Sequence, residues 1–229
     1  YFTTEIKEQL ARFDEIVTRI EVHVTDENGS KTSPNDKKCV IEARIEKTQM
    51  CIDRGIDIRF GALLASNYGC GKSLYAFKLA NKAILNGWSF VYCPNPHHML
   101  YTMKVANMLA DNGKGVVLFV EDGDQILNTR DESTNEISLM MDGGETKSKN
   151  VITIITTNHP ELIDPTFLRG KRIGSLVKLG APDKDTAIRM IEGTMIDETG
   201  LSILEDKCDE AALMIEKEQI VPAFVMEIL

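Results

Sequence analysis

The amino-acid sequence predicts an α/β protein built on a buried parallel sheet. Three observations carry that expectation. Short apolar runs recur along the chain without polar alternation, helical patterns separate them, and a glycine-rich loop and an acidic cluster each sit just past the end of a run. The first run is Gly61-Ala-Leu-Leu-Ala65, followed by a helix over 72–86 that Gly87 ends at the position just beyond the last turn. Ser89-Phe-Val-Tyr-Cys93 is the second strand, and 97–111 the next helix. Gly115-Val-Val-Leu-Phe-Val120, Val151-Ile-Thr-Ile-Ile-Thr-Thr157 and the shorter Leu176-Val-Lys-Leu179 complete the strands. From Asp183 onward no strand signal remains, and the tail reads as a small helical subdomain.

Ahead of this alternation, residues 40–54 read as a helix. Ile6, Leu10, Phe13, Ile16, Val17 and Ile20 place an apolar face on a helix over 4–20, which packs either on its own domain or on a partner. Val22 and Val24 alternate like a short strand, and Thr25 to Asp36 is polar and turn-rich. The organisation read from these shifts is a helix, strand and linker over 1–36, an α/β domain over 37–182, and a helical unit over 183–229.

Composition bounds the class. With 43% apolar and 27% charged residues in 229, the chain is ordinary globular material, which excludes disordered, collagenous and disulfide-scaffold readings. No apolar run approaches the roughly 18 residues a transmembrane helix needs. A net charge of −9 disfavours a broad nucleic-acid surface. Cys39, Cys51, Cys70, Cys93 and Cys208 are scattered without C-x-x-C spacing, which points to a reducing, cytoplasmic compartment and no structural metal. Opening on Tyr1 and closing on Leu229 within a helical pattern, the sequence reads as a piece of a longer or processed chain, in which a targeting signal cannot be judged.

Ser66-Asn-Tyr-Gly-Cys-Gly-Lys-Ser73 lies between a strand and a helix start, the context of a phosphate-binding loop. Gly69 and Gly71 let successive N–H groups converge on phosphate oxygens. Lys72 would reach the β- and γ-phosphates, and Ser73 would ligate Mg²⁺. Asn67, Tyr68, Cys70 and Leu74 complete the candidate nucleotide-binding set. Ser66 departs from G-x-x-x-x-G-K-S/T, where the first position is glycine. Glu121, Asp122 and Asp124 end a buried strand at the sheet edge that faces a ligand crevice, where one carboxylate can hold Mg²⁺ through its water and the next can deprotonate an attacking water. Asn158 ends another strand; alone it would be a turn former. Arg169, Lys171 and Arg172 would in isolation be a solvated basic edge.

Together these residues resemble the AAA ATPases, the classical branch of the AAA+ superfamily, from about Ile41 to Leu229. Ser66 to Ser73 is similar to Walker A and Val117 to Asp122 to Walker B. Leu139-Met-Met-Asp-Gly143 resembles the "L-x-x-M-D-G" helix end, and Thr157-Asn158-His-Pro160 the "T-N-x-P" sensor 1. Asp164 to Arg172 resembles "D-P-A-L-L-R-P-G-R", Gly180-Ala-Pro-Asp183 the "P-x-P-D" start of the lid, and Val221-Pro-Ala-Phe224 a lid helix start. The resemblance implies a P-loop NTPase sheet of order 5-1-4-3-2 with helices on both faces, a small C-terminal helical lid, and ATP with Mg²⁺ as ligands. It also implies a homo-oligomeric ring, usually a hexamer, in which Arg172 acts in trans, and a protein or protein assembly as client.

Four departures modify that expectation. The Walker B acids are inverted, Glu121 for Asp and Asp122 for Glu, so the shorter Asp122 must shift to reach its water and hydrolysis should be slow. Ser175 stands where a second interface arginine often sits, and Gly170-Lys171 replaces "P-G". The aromatic–hydrophobic–Gly loop that grips polypeptides is not found; His97, His98 and Tyr101 either line a pore or belong to a capped helix start. Cys70 lies beside a helix N-terminus and Lys72, which lower a thiol pKa, although a small tolerated side chain is the simpler reading. Two alternatives to a remodelling ATPase follow: a nucleotide-gated assembly module with little turnover, and a nucleic-acid-associated motor that the acidic balance disfavours.

Overall fold

A computed structural model describes residues 59–110, 115–142, 150–169, 172–194 and 198–224, together with Ile45, Met50, Asp53 and Arg54. The helix expected over 4–20, the strand at Val22 and Val24 and the linker to Asp36 lie outside the described residues.

In chain order the elements are β1 (Phe60–Ala65), α1 (Lys72–Leu85), β2 (Ser89–Cys93), α2 (Met99–Ala110), β3 (Val116–Val120), α3 (Glu132–Asp142), β4 (Val151–Thr157), β5 (Ser175–Lys178), α4 (Lys184–Thr194) and α5 (Glu198–Lys217). All four strand pairings are parallel. The order across the sheet is β2-β3-β4-β1-β5, which from the other edge reads 5-1-4-3-2. Boundaries shift by one or two residues from the sequence expectation. The helix expected from 97 is a short 3-10 turn, Pro96–His98, before α2, because Pro96 and the Asn95 cap close a tight turn first.

The continuous apolar runs are explained by burial on both faces. Every residue of β3 and β4 is buried. Within each strand, side chains alternate between two cores. Leu64, Val117, Phe119, Ile152 and Ile154 pack with Tyr75, Ala76, Leu79 and Ala83 of α1 and with Ile45. Leu63, Leu118, Val120 and Ile155 pack on the opposite face with Met99, Met103 and Ala106 of α2, and Ile137 and Met141 of α3. Helices therefore cover both faces, as parallel crossovers require. A separate cluster, Ala187, Met190, Ile191, Ala212 and Ile215, holds α4 to α5. Among the described residues no helix is long and apolar enough to cross a membrane, and none of Cys70, Cys93 and Cys208 is in a disulfide.

Candidate functional site: a glycine loop at the sheet edge

The carboxyl ends of β1, β3 and β4 converge on an open cavity of about 520 Å³. Its floor is the loop from Tyr68 to Gly71, where Gly69 and Gly71 have φ of 77° and 85°. A side chain is strained in that left-handed region, so glycine at both positions lets the loop curl onto the start of α1. The segment after α5 closes the other side. Ala223 N donates to the Gly69 carbonyl at 3.1 Å, and a Cβ on Gly69 would lie 2.9 Å from Ala223 Cβ.

Tyr68, Gly69, Cys70, Gly71, Lys72, Ser73 and Leu74 line the cavity, as do Glu121, Asp122 and Asn158. Asn67 does not line it; its carbonyl instead accepts from Lys72 Nζ at 3.2 Å. Lys72 also donates to the Ser66 carbonyl and hydroxyl, at 3.2 and 3.1 Å, and to Asn158 Oδ1. Burial pushes its ammonium below the usual lysine range, partly offset by the surrounding acids. Ser73 Oγ donates to Glu121 Oε1 at 2.8 Å, bringing together the two oxygen donors expected at the metal.

The acidic strand end divides differently from the expectation of three cavity carboxylates. Asp122 adopts a left-handed backbone, φ 47°, a conformation aspartate tolerates better than most residues. Its N–H donates to Thr156 Oγ1 at 3.0 Å, and its Oδ1 faces Asn158 Nδ2 at 3.5 Å. That turn sends Asp124 into the protein, where it is buried and accepts from Thr157 Oγ1 at 2.6 Å. Asp124 thus anchors β4 to the turn and does not line the cavity. Burial, followed by repulsion from Asp124 and Glu121, raises the Asp122 carboxyl above its ordinary range.

Cys70 also corrects an expectation. It is 5% exposed, and burial outweighs the Ser66 and Lys72 contributions, so its thiol is pushed up rather than down. Alkylation of Cys70 by iodoacetamide in the native protein should accordingly be at least about tenfold slower than in the urea-unfolded chain. Peptide mass spectrometry over a time course checks this, and equal rates would refute it.

Arg172 lies outside the cavity lining. Its Nε and Nη2 donate to Asp142 at 2.8 and 2.6 Å, and its Nη1 to the Thr166 carbonyl at 3.0 Å. Arg130 and Asp164 form a second two-pronged pair nearby in sequence, at 2.7 and 3.2 Å. Asn95 Oδ1 accepts from His97 N at 3.0 Å, which caps the turn bearing His97 and His98, and Tyr101 is exposed on α2. Ser175 opens β5 in register with Ala62.

Sequence reasoning missed several members of the site. Thr156, Met190, Pro222 and Ala223 line the cavity. Tyr92, from the edge strand β2, hydrogen-bonds the Glu121 carboxylate; burial and that bond push its hydroxyl up to about 12. Thr156 precedes Asn158 by two residues, and Pro222 and Ala223 fall within the signature from Val221 to Phe224. No local signal marks Met190 or Tyr92, which reach the site across the fold.

A lysine-bearing glycine loop at a helix start, beside acidic residues at a parallel strand end, defines a nucleotide-binding P-loop protein. The profile of the family described as "ATPase family associated with various cellular activities (AAA)" matches residues 62–181, just over half of the chain, and the chain belongs to that family. It is 29% identical over 146 residues to "Cell division control protein 48 homolog C" of Arabidopsis thaliana, covering 57% of this chain and 17% of that protein. It is 26% identical over 196 residues to "Putative cell division cycle ATPase" of Plasmodium falciparum (isolate 3D7), covering 79% of this chain and 16% of the relative. The chain therefore spans about a sixth of the length of these curated relatives.

Proposed function

We propose that this chain binds and hydrolyses ATP as part of an oligomeric AAA ring, usually a hexamer in this family, that remodels a protein or protein assembly in the cytoplasm. The proposal divides the chain into a nucleotide-binding domain over 37–182 and a lid over 183–229. The observation that carries it is Asn158, whose amide stands between Lys72 and Asp122 and so ties the phosphate-binding group to the water-activating group. The cavity walls contributed by Met190, Pro222 and Ala223 support a nucleotide held between sheet and lid.

The residues assign themselves to roles by chemistry. Loop N–H groups and Lys72 hold the phosphates. Asn158 orients the attacking water, and Asp122 takes its proton. Ser73 directly, and Glu121 through a water, would hold Mg²⁺; the hard oxygen pair fits that ion, which when bound neutralises charge on the phosphates. Tyr92 and Ser73 fix the Glu121 carboxylate. Arg172, held outside its own cavity, serves a neighbouring subunit.

Asp122 is one methylene shorter than glutamate, and Asn158 sits at the long limit of hydrogen bonding from it. These features favour slow turnover and support the second reading, a nucleotide-gated assembly module. Asp122→Glu should raise kcat about tenfold or more, because reach to the water is restored, and Asp122→Asn should lower it about a hundredfold. Steady-state hydrolysis at saturating Mg²⁺ and ATP checks both; an Asp122→Glu protein no faster than the parent removes the geometric argument. With the Asp122 carboxyl raised by burial and like charge, activity should be full well above that raised value and fall as pH drops through it. The acid limb of kcat/KM should therefore lie above the ordinary carboxylate range of about 4.

A further inference from the structure

We propose that Ser66 is a positioning residue, holding the Lys72 ammonium in the loop and so setting how readily that lysine passes to a nucleotide's phosphates. The inference rests on the reading of Lys72 as a phosphate contact. Ser66 stands at the position where the loop motif has glycine, so its side chain is an addition to the motif. The Ser66 hydroxyl accepts from Lys72 Nζ at 3.1 Å while donating its own proton to the Asn67 carbonyl at 3.0 Å. That orientation turns the oxygen lone pairs toward the ammonium.

The Ser66 carbonyl, the Asn67 carbonyl and Asn158 Oδ1 bring the acceptors around Lys72 to four. An ammonium has three N–H donors, so the loop and Asn158 together offer one acceptor more than it needs. Glycine at position 66 would keep the carbonyl and lose only the hydroxyl. Because the donor is charged and partly withdrawn from water, each of these bonds is stronger than a neutral one. A phosphate oxygen must then draw Lys72 from a partner that the glycine version of the loop lacks. Ser66 thereby trades nucleotide affinity for a fixed lysine.

Binding of fluorescent N-methylanthraniloyl-ATP with Mg²⁺ to the full chain, followed by anisotropy, tests this. Ser66→Ala and Ser66→Gly should bind about three- to tenfold more tightly than the parent. Ser66→Thr, which keeps the hydroxyl, should stay within about twofold. A purely structural role gives the opposite pattern, with Ser66→Gly weakened through loop entropy and Ser66→Ala unchanged. Unchanged or weaker binding by Ser66→Ala, or a Ser66→Thr protein that follows alanine, overturns the proposal. Lys72→Ala separates the levels. If it abolishes binding while Ser66→Ala is neutral, only the role of Ser66 falls; if it binds as well as the parent, the phosphate-contact reading falls and takes this one with it.

Discussion

Replacing Arg172 with alanine is expected to lower ATP hydrolysis in the assembled protein by about a thousandfold, the scale of stabilisation an arginine finger gives the transition state. ATP affinity should stay within about twofold, because a group acting only in the transition state leaves ground-state binding intact. The basis is geometric. Arg172 does not line its own chain's cavity, and a two-pronged pair with Asp142, at 2.8 and 2.6 Å, fixes its guanidinium. On the proposed ring reading this side chain acts at another subunit's site, so the rate per subunit should rise with protein concentration. Mixing supplies the decisive measurement. Arg172→Ala keeps an intact site and Asp122→Asn keeps an intact finger, so the two nearly inactive proteins should regain part of the parental rate together. No gain on mixing, with a parental rate per subunit that is flat across concentration, would remove the trans role and leave the assembly-module reading.

Gly61→Ala is expected to destabilise the protein by about 3 kcal/mol or more, the upper range of overpacking in a rigid core. A Cβ built on Gly61 would meet the Arg172 carbonyl oxygen at 1.7 Å and its carbon at 2.7 Å. Those atoms are backbone, and the chain there is tied back to β1 by the bond from Gly174 N to the Gly61 carbonyl at 3.0 Å. Relief therefore requires β1 to part from the Arg172 segment, which costs strand pairing as well as contact. The midpoint of thermal unfolding should fall by about 6–12 °C for a chain of this size. Gly180→Ala is the control: a Cβ there meets nothing within 4 Å, and its midpoint should barely move. Circular dichroism melts of both variants decide the matter, and equal midpoints would show that the Arg172 segment yields easily.

Much of this architecture is legible along the chain because it is written in local patterns. Apolar runs such as Val151 to Thr157 lack alternation because both faces are buried, and that alone marks central strands of a parallel sheet. The loop from Ser66 to Ser73 is legible because glycine, lysine and serine at fixed offsets between strand and helix meet a chemical requirement that spacing expresses. Glu121, Asp122 and Asn158 are legible as strand ends.

The direction of individual side chains is not. Local pattern does not separate Asp122 from Asp124, and only the resemblance to Walker B singles out Asp122. In the fold one left-handed residue sends the first to the cavity and the second to Thr157. Cys70 lies beside a helix start and a lysine, but burial sets its thiol, and burial depends on what packs over the loop. By itself, then, the sequence determined the sheet, its helices and the chemical groups along its edge, since these follow from periodicity and residue type. The tertiary structure alone decided that Asp142 takes Arg172, that Tyr92 fixes Glu121, that Gly61 lies beneath the Arg172 backbone, and that Ala223 closes on Gly69. Each joins segments far apart in the chain, and their meeting is fixed by strand register and backbone direction, which no local period encodes.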